Sequence, residues 1–113
     1  MDSILTSIKK LLGIAEEYTH FDEDLIIHIN SVFMILTQLG VGPAGGFSIE
    51  DDVAVWTDFV TEDQGLEPVK SYVYLKVKLL FDPPDKSSVM EATNRMISEL
   101  EWRLNLQAES IET

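Results

Sequence analysis

The 113-residue chain contains no cysteine, so neither a disulfide nor a thiolate-bound metal contributes to its stability, an absence that suits a reducing compartment. Basic residues are scarce as well. Eight Lys and Arg face 20 Asp and Glu, for a net charge of −12. Proteins that read DNA or RNA draw most of their affinity from Lys and Arg neutralising phosphates, so no sequence-specific nucleic-acid partner is expected. The imbalance is uneven: residues 1–68 hold thirteen acids against Lys9 and Lys10, whereas residues 69–113 hold seven acids against six bases. Two readings of the excess stand open. One is a solvated surface that aids solubility and fills helix N-termini. The other is a negative surface beside which a nucleic acid passes without sticking. Long apolar runs are also missing, since none approaches the roughly 20 residues needed to span a bilayer. The apolar start, residues 1–17, is interrupted by Thr6, Ser7, Lys9 and Lys10, with no small-residue cleavage site after it, so it is not an export signal. The expectation is a soluble protein made in the cytoplasm, with no membrane partner.

Groups able to do chemistry are equally sparse. His20 and His28 are the only histidines, and eight residues apart on a helix they stand about two turns from each other, too far to share a metal without further ligands. The acids Asp22, Glu23 and Asp24 lack the alternating oxygen ligands and central glycine of a calcium loop and read as a helix start. Glu50, Asp51 and Asp52 read as a solvated turn. No Ser, His and acid stand in a nucleophilic arrangement, and the glycines of residues 40–46 (GVGPAGG) are not followed by the Lys-Ser/Thr of a phosphate loop. No catalytic residue, metal ligand or cofactor is expected.

What the chain does have is helical periodicity. Ser3 or Asp2 can cap a first helix whose apolar positions are Ile4, Leu5, Ile8, Leu11 and Leu12, with Gly13 as its stop. Asp22 reads as the N-cap of a second, between Phe21 and Ile26 as a hydrophobic staple, with a stripe of Leu25, Ile29, Val32, Phe33, Leu36 and Leu39. Residues 40–46 are loop by composition. Alternation at Phe47 and Ile49, the break at Glu50, Asp51 and Asp52, and β-branched Val53 and Val55 suggest a short β-hairpin, followed by one helical turn capped by Thr57. Residues 68–84 (PVKSYVYLKVKLLFDPP) alternate like a strand, yet the run is too long for one and is bracketed by prolines where a helix tolerates them. A third helix is therefore expected there. Ser88 and Glu91 form a capping box for a fourth, with Val89, Ala92, Met96, Ile97, Leu100 and Leu104 on its stripe. The expected fold is mainly α: about four helices in a small bundle, with a glycine-rich loop and short β-hairpin between helices 2 and 3. Residues 1–105 form one domain, and residues 106–113 form an acidic C-terminal tail that frays unless a partner holds it. Trp56 and Trp102 each read either as packing residues or as contacts with another subunit.

The order of these features resembles the small head-tail connector proteins of tailed bacteriophages and prophages. The resemblance rests on the acidic helix start at residues 21–24, YLKVKLLFDPP at residues 74–84 and ISELEWRLN at residues 97–105. It implies a structural virion protein that forms a ring, typically of twelve copies, between the capsid portal protein and the tail or a second connector, with DNA passing through the ring. In such a ring Phe47, Ile49, Trp56 and Trp102 are candidate subunit contacts, and Glu50, Asp51 and Asp52 a candidate DNA-repelling surface. The alternative is a small acidic helical adaptor or inhibitor, a DNA mimic being one form of it, that binds a host or phage protein. A small enzyme is the least supported reading.

Overall fold

The structure is a computed structural model that describes residues 2–112, and the side chains of residues 2–109. Met1 and Thr113, the last residue of the expected acidic tail, lie outside them. Four α-helices form: α1 (Ile4–Leu12), α2 (Asp22–Gln38), α3 (Leu66–Phe81) and α4 (Ser87–Glu112), with two short 3-10 turns at Trp56–Asp58 and Glu62–Gln64. Helix α3 is the centre, contacting α1, α2 and α4. Its length and proline brackets prevail over its alternation, because Val69, Tyr72, Val73 and Val77 form one fully buried helical face.

The first helix is capped as its sequence demands. Ser3 Oγ accepts the Thr6 N–H at 3.1 Å, and Gly13, at φ 80°, closes the other end in the left-handed region. Lys9 is only 2% exposed. Its ammonium donates to the carbonyls of Glu16 (2.9 Å) and Tyr18 (2.7 Å) and pairs with Asp22 Oδ1 at 2.9 Å. Two carbonyls accept from the ammonium and the Asp22 carboxylate balances its charge, which ties the α1–α2 connection to both helices. Helix α2 begins at Asp22 with Phe21 in the capping position and no side-chain cap bond, so Asp22 is not the N-cap. It is recruited by Lys9 instead. Phe21 packs edge-on against Phe81, with ring centroids 5.1 Å apart, joining the start of α2 to the end of α3.

The expected β-hairpin does not form: no strand occurs among the described residues, and a single isolated bridge joins Ser3 to Val55. Asn30 explains the difference. Its side-chain oxygen accepts the Ile49 N–H at 2.8 Å, and its amide nitrogen donates to the Ile49 carbonyl at 2.9 Å. A side chain of α2 thereby supplies both bonds that a paired strand would have supplied, and the apolar alternation of Phe47 and Ile49 serves docking onto a helix. The helical turn after Val55 starts at Trp56 rather than being capped by Thr57.

Helix α4 also departs from expectation. It starts at Ser87 and runs on to Glu112, past Asn105 where fraying was expected. The stripe continues through Leu104 and Ala108, both buried. Asn105 Nδ2 donates to the Leu39 carbonyl at 3.2 Å, satisfying an acceptor at the end of α2. A Cβ on Gly40 would stand 3.2 Å from the Ala108 Cβ, so the end of α2 and the last turns of α4 meet closely because Gly40 has no side chain.

Candidate functional site

Three of the four candidate contact residues are committed to the chain's own core. Phe47 packs against Phe33 and Phe59, with ring centroids 5.2 Å away in each case. Ile49 is buried beneath Asn30. Trp56 is 3% exposed, and its indole N–H donates to Ser7 Oγ at 2.8 Å, fastening the segment after Val55 to α1. Ile49 and Trp56 are covered within the protomer, and Phe47 is partly covered. Trp102 differs. It is 63% exposed on α4, with Leu106 one turn further on at 43%. At about 100° per residue Trp102 lies roughly 160° around the helix from buried Leu104, so it points away from α3.

Glu50, Asp51 and Asp52 all lie exposed in a bend that leaves the core after Ile49 and returns at Ala54, whose carbonyl accepts the Ile4 N–H at 2.8 Å. Asp51 Oδ1 accepts the Val53 N–H at 3.1 Å and holds the turn. Val53 is 73% exposed beside them. The structure thus presents the triplet on a short, pinned projection. His20 is exposed and meets Phe21 edge-on, with ring centroids 4.9 Å apart, while His28 is half-buried on α2. Among the described residues no three His, Cys, Asp or Glu side chains gather as a metal site.

Two grooves were not expected from the residues alone. One runs between α3 and α4, lined by Leu75, Val89, Ala92 and Met96. The other lies over α1, lined by Ser7, Leu11, Trp56 and Lys70, with Lys10 and Asp2 at its rim. Leu11 was expected on the core stripe of α1, yet it is 55% exposed. The shared apolar floor could not be foreseen, because it depends on α3 bringing Lys70 beside α1. The groove over α1 sets apolar area beside the Lys10 and Lys70 ammonium groups and the Asp2 carboxylate, whereas the one between α3 and α4 is apolar with Ser88 and Thr93 as its polar groups. Among the described helices none is long and apolar enough to cross a membrane.

Known proteins supply a further observation. A family model described as phage connector protein matches residues 4–110. No curated protein and no solved structure matches the chain.

Proposed function

This chain belongs to the phage connector protein family, and from that membership we propose a structural role in which copies close into a ring between capsid portal and tail and the genome passes through it. Membership itself makes the protein a component of the virion; its synthesis in the bacterial cytoplasm, its freedom from catalysis and its head-tail position belong to the proposal. The observation that carries the reading is an exposed tryptophan on a helix whose core face is already filled. A protomer that buries Ile49, Trp56, Tyr72 and Leu104 internally and still presents Trp102 and Leu106 to solvent has apolar surface that only another molecule can cover. Trp102 is accordingly the subunit contact of the proposal.

Its partners are further copies of itself, the portal protein, and the tail or a second connector. Mixing the purified chain with portal-bearing capsids and imaging the product tests this. Rings or portal-bound caps are the expected outcome. A chain that stays monomeric with portal present, and instead binds a basic nucleic-acid protein, would favour the acidic adaptor and overturn the connector role.

The acids Glu50, Asp51 and Asp52 face the lumen in this proposal and keep the phosphate backbone from adhering. Replacing all three by their amides should slow DNA ejection from assembled particles, with the delay greatest at low ionic strength, where screening is weakest. Ejection at the unaltered rate would remove the triplet from the lumen.

A further inference from the structure

Two helices carry exposed apolar pairs of equal spacing. Ile27 and Met34 on α2 are 62% and 60% exposed, and Val89 and Met96 on α4 are 47% and 53% exposed. Each pair is seven residues apart, two turns or about 10 Å along one helix face, with a small side chain between: Ser31 on α2 and Ala92 on α4. Nine residues make two and a half turns, so Ile27 stands about 180° around α2 from buried Leu36, and Met34 about 180° from buried Leu25. The α2 pair therefore points directly away from the core. The α4 pair borders the groove whose other wall is Leu75 of α3. In the acidic part of the chain the remaining large exposed apolar residues, Leu11, Tyr18 and Val53, stand singly on separate segments. Trp102 and Leu106 are one turn apart and do not match the groove pair.

Charge selects the same two surfaces. Five of the eight Lys and Arg are held in ion pairs within the chain. Among the described residues the other three, Lys76, Lys86 and Arg95, have none, and all three belong to the α3–α4 hairpin that forms the groove. Helix α2 is the reverse. It holds Asp22, Glu23 and Asp24 and no Lys or Arg; Asp22 is engaged by Lys9, and exposed Glu23 and Asp24 have no ion pair among the described residues. Copies of a chain with net charge −12 repel one another over most of their surface, but here an acidic face meets a basic one.

Helix direction fixes the register. Phe21 at the start of α2 packs on Phe81 at the end of α3. Tyr72 bonds to Glu101, and Leu75 and Met96 line one groove. Both α2 and α4 thus run opposite to α3, and parallel to each other. Rotation about an axis along these helices keeps that direction from copy to copy, as in a closed ring, whereas a two-fold axis across them reverses it. In the parallel register Ile27 meets Val89, Met34 meets Met96, and Asp24 falls opposite Lys86. The antiparallel register sets Asp24 against Glu99 instead.

We infer that the Ile27–Met34 face of one copy packs into the Leu75–Val89–Met96 groove of the next, with α2 and α4 parallel. The inference rests on the connector reading and adds to the Trp102 contact a second surface through which neighbouring copies meet.

The cysteine-free chain allows a direct test. Ile27→Cys and Val89→Cys copies are mixed, assembled on portal-bearing capsids and mildly oxidised. Disulfide-linked pairs should form in the mixture and in neither variant alone, and a mixture of Met34→Cys and Met96→Cys should behave alike. Assembly with no cross-link in either mixture would overturn the contact, as would cross-linking of Ile27→Cys to Met96→Cys in their place; both results leave the connector role standing. Failure of the wild-type chain to assemble would overturn the connector role itself, and the contact with it. Charge exchange supplies a second measurement. Asp24→Lys and Lys86→Asp, both at exposed positions, should each weaken assembly about fivefold, and the double variant should recover it. Single variants that assemble like the wild type, or a double variant no better than either, would likewise overturn the contact.

Discussion

Tyr72 is fully enclosed between α3 and α4, and its hydroxyl donates to Glu101 Oε2 at 2.6 Å. Burial, followed by the hydrogen bond and the charge of Glu101, raises its pKa well above the ordinary value of 10.0. The folded chain holds that proton more tightly than the unfolded chain does. Its contribution to stability is intact below the unfolded value and declines as pH rises toward the folded one. Tyr72→Phe should lower stability at neutral pH by about 1–2 kcal/mol, the loss of a bond to a charged acceptor. It should also flatten the fall in urea midpoint between about pH 10 and about pH 12. Equal slopes would refute the Tyr72 assignment. Two glycines make a second contrast at this scale. Gly13 and Gly42 share a left-handed backbone at φ 80° and 86°, but a Cβ on Gly13 meets nothing within 4 Å, whereas one on Gly42 would stand 2.4 Å from the Phe59 ring. Gly13→Ala should cost about 1 kcal/mol from backbone strain alone. Gly42→Ala should cost about 3 kcal/mol or more, since Phe59 must also move away from Phe33 and Phe47. Thermal unfolding of the two variants gives the comparison.

Among the elements, the connection between α2 and α3 is the one whose role changes most once packing is known. It resembles a surface hairpin in composition, but it supplies Val41, Ile49, Trp56, Phe59 and Val60 to the core. Deleting residues 42–53 would therefore take out Phe47 and Ile49 and destabilise the bundle as a whole, so such a deletion cannot separate assembly from folding. Asn30 is the sharper probe. Asn30→Ala removes both partners of the Ile49 backbone and should cost about 2–3 kcal/mol, because a part-buried donor and acceptor lose their bonds together. Amide exchange at Ile49 should accelerate in that variant while exchange in the middle of α3 falls only with global stability. Unchanged exchange at Ile49 would show that the segment is held by its apolar contacts alone. Helix α4 carries the complementary lesson. Its inner face joins α3 and the end of α2 through Ile97, Leu104 and Ala108, so its outer face is free to serve a different surface.

At the scale of the whole molecule, charge and apolar surface are sorted in different ways. The acids gather in the first 68 residues and the cations in the remainder, yet Lys10, from the acidic part, and Lys70, from the other, meet at one groove. The molecule is thin, with principal extents of 43 × 36 × 20 Å, and its large exposed apolar residues are spread over all four helices and two connections instead of gathered on one element. Helix identities and most stopping points are legible in the chain, because the 3.6-residue apolar period, Ser3, Gly13 and the Asp82-Pro83-Pro84 stop act through bonds and clashes only a few residues long. The family resemblance was legible for the same reason, resting on the order of local features. Which apolar residues are covered is a different kind of question. Leu11 and Trp56 look alike as buried candidates in a linear pattern, and only the approach of α3 and the Asn30 clasp decided that Trp56 is enclosed and Leu11 exposed. Burial of a side chain depends on neighbours many residues distant, and periodicity carries no information about where those neighbours arrive.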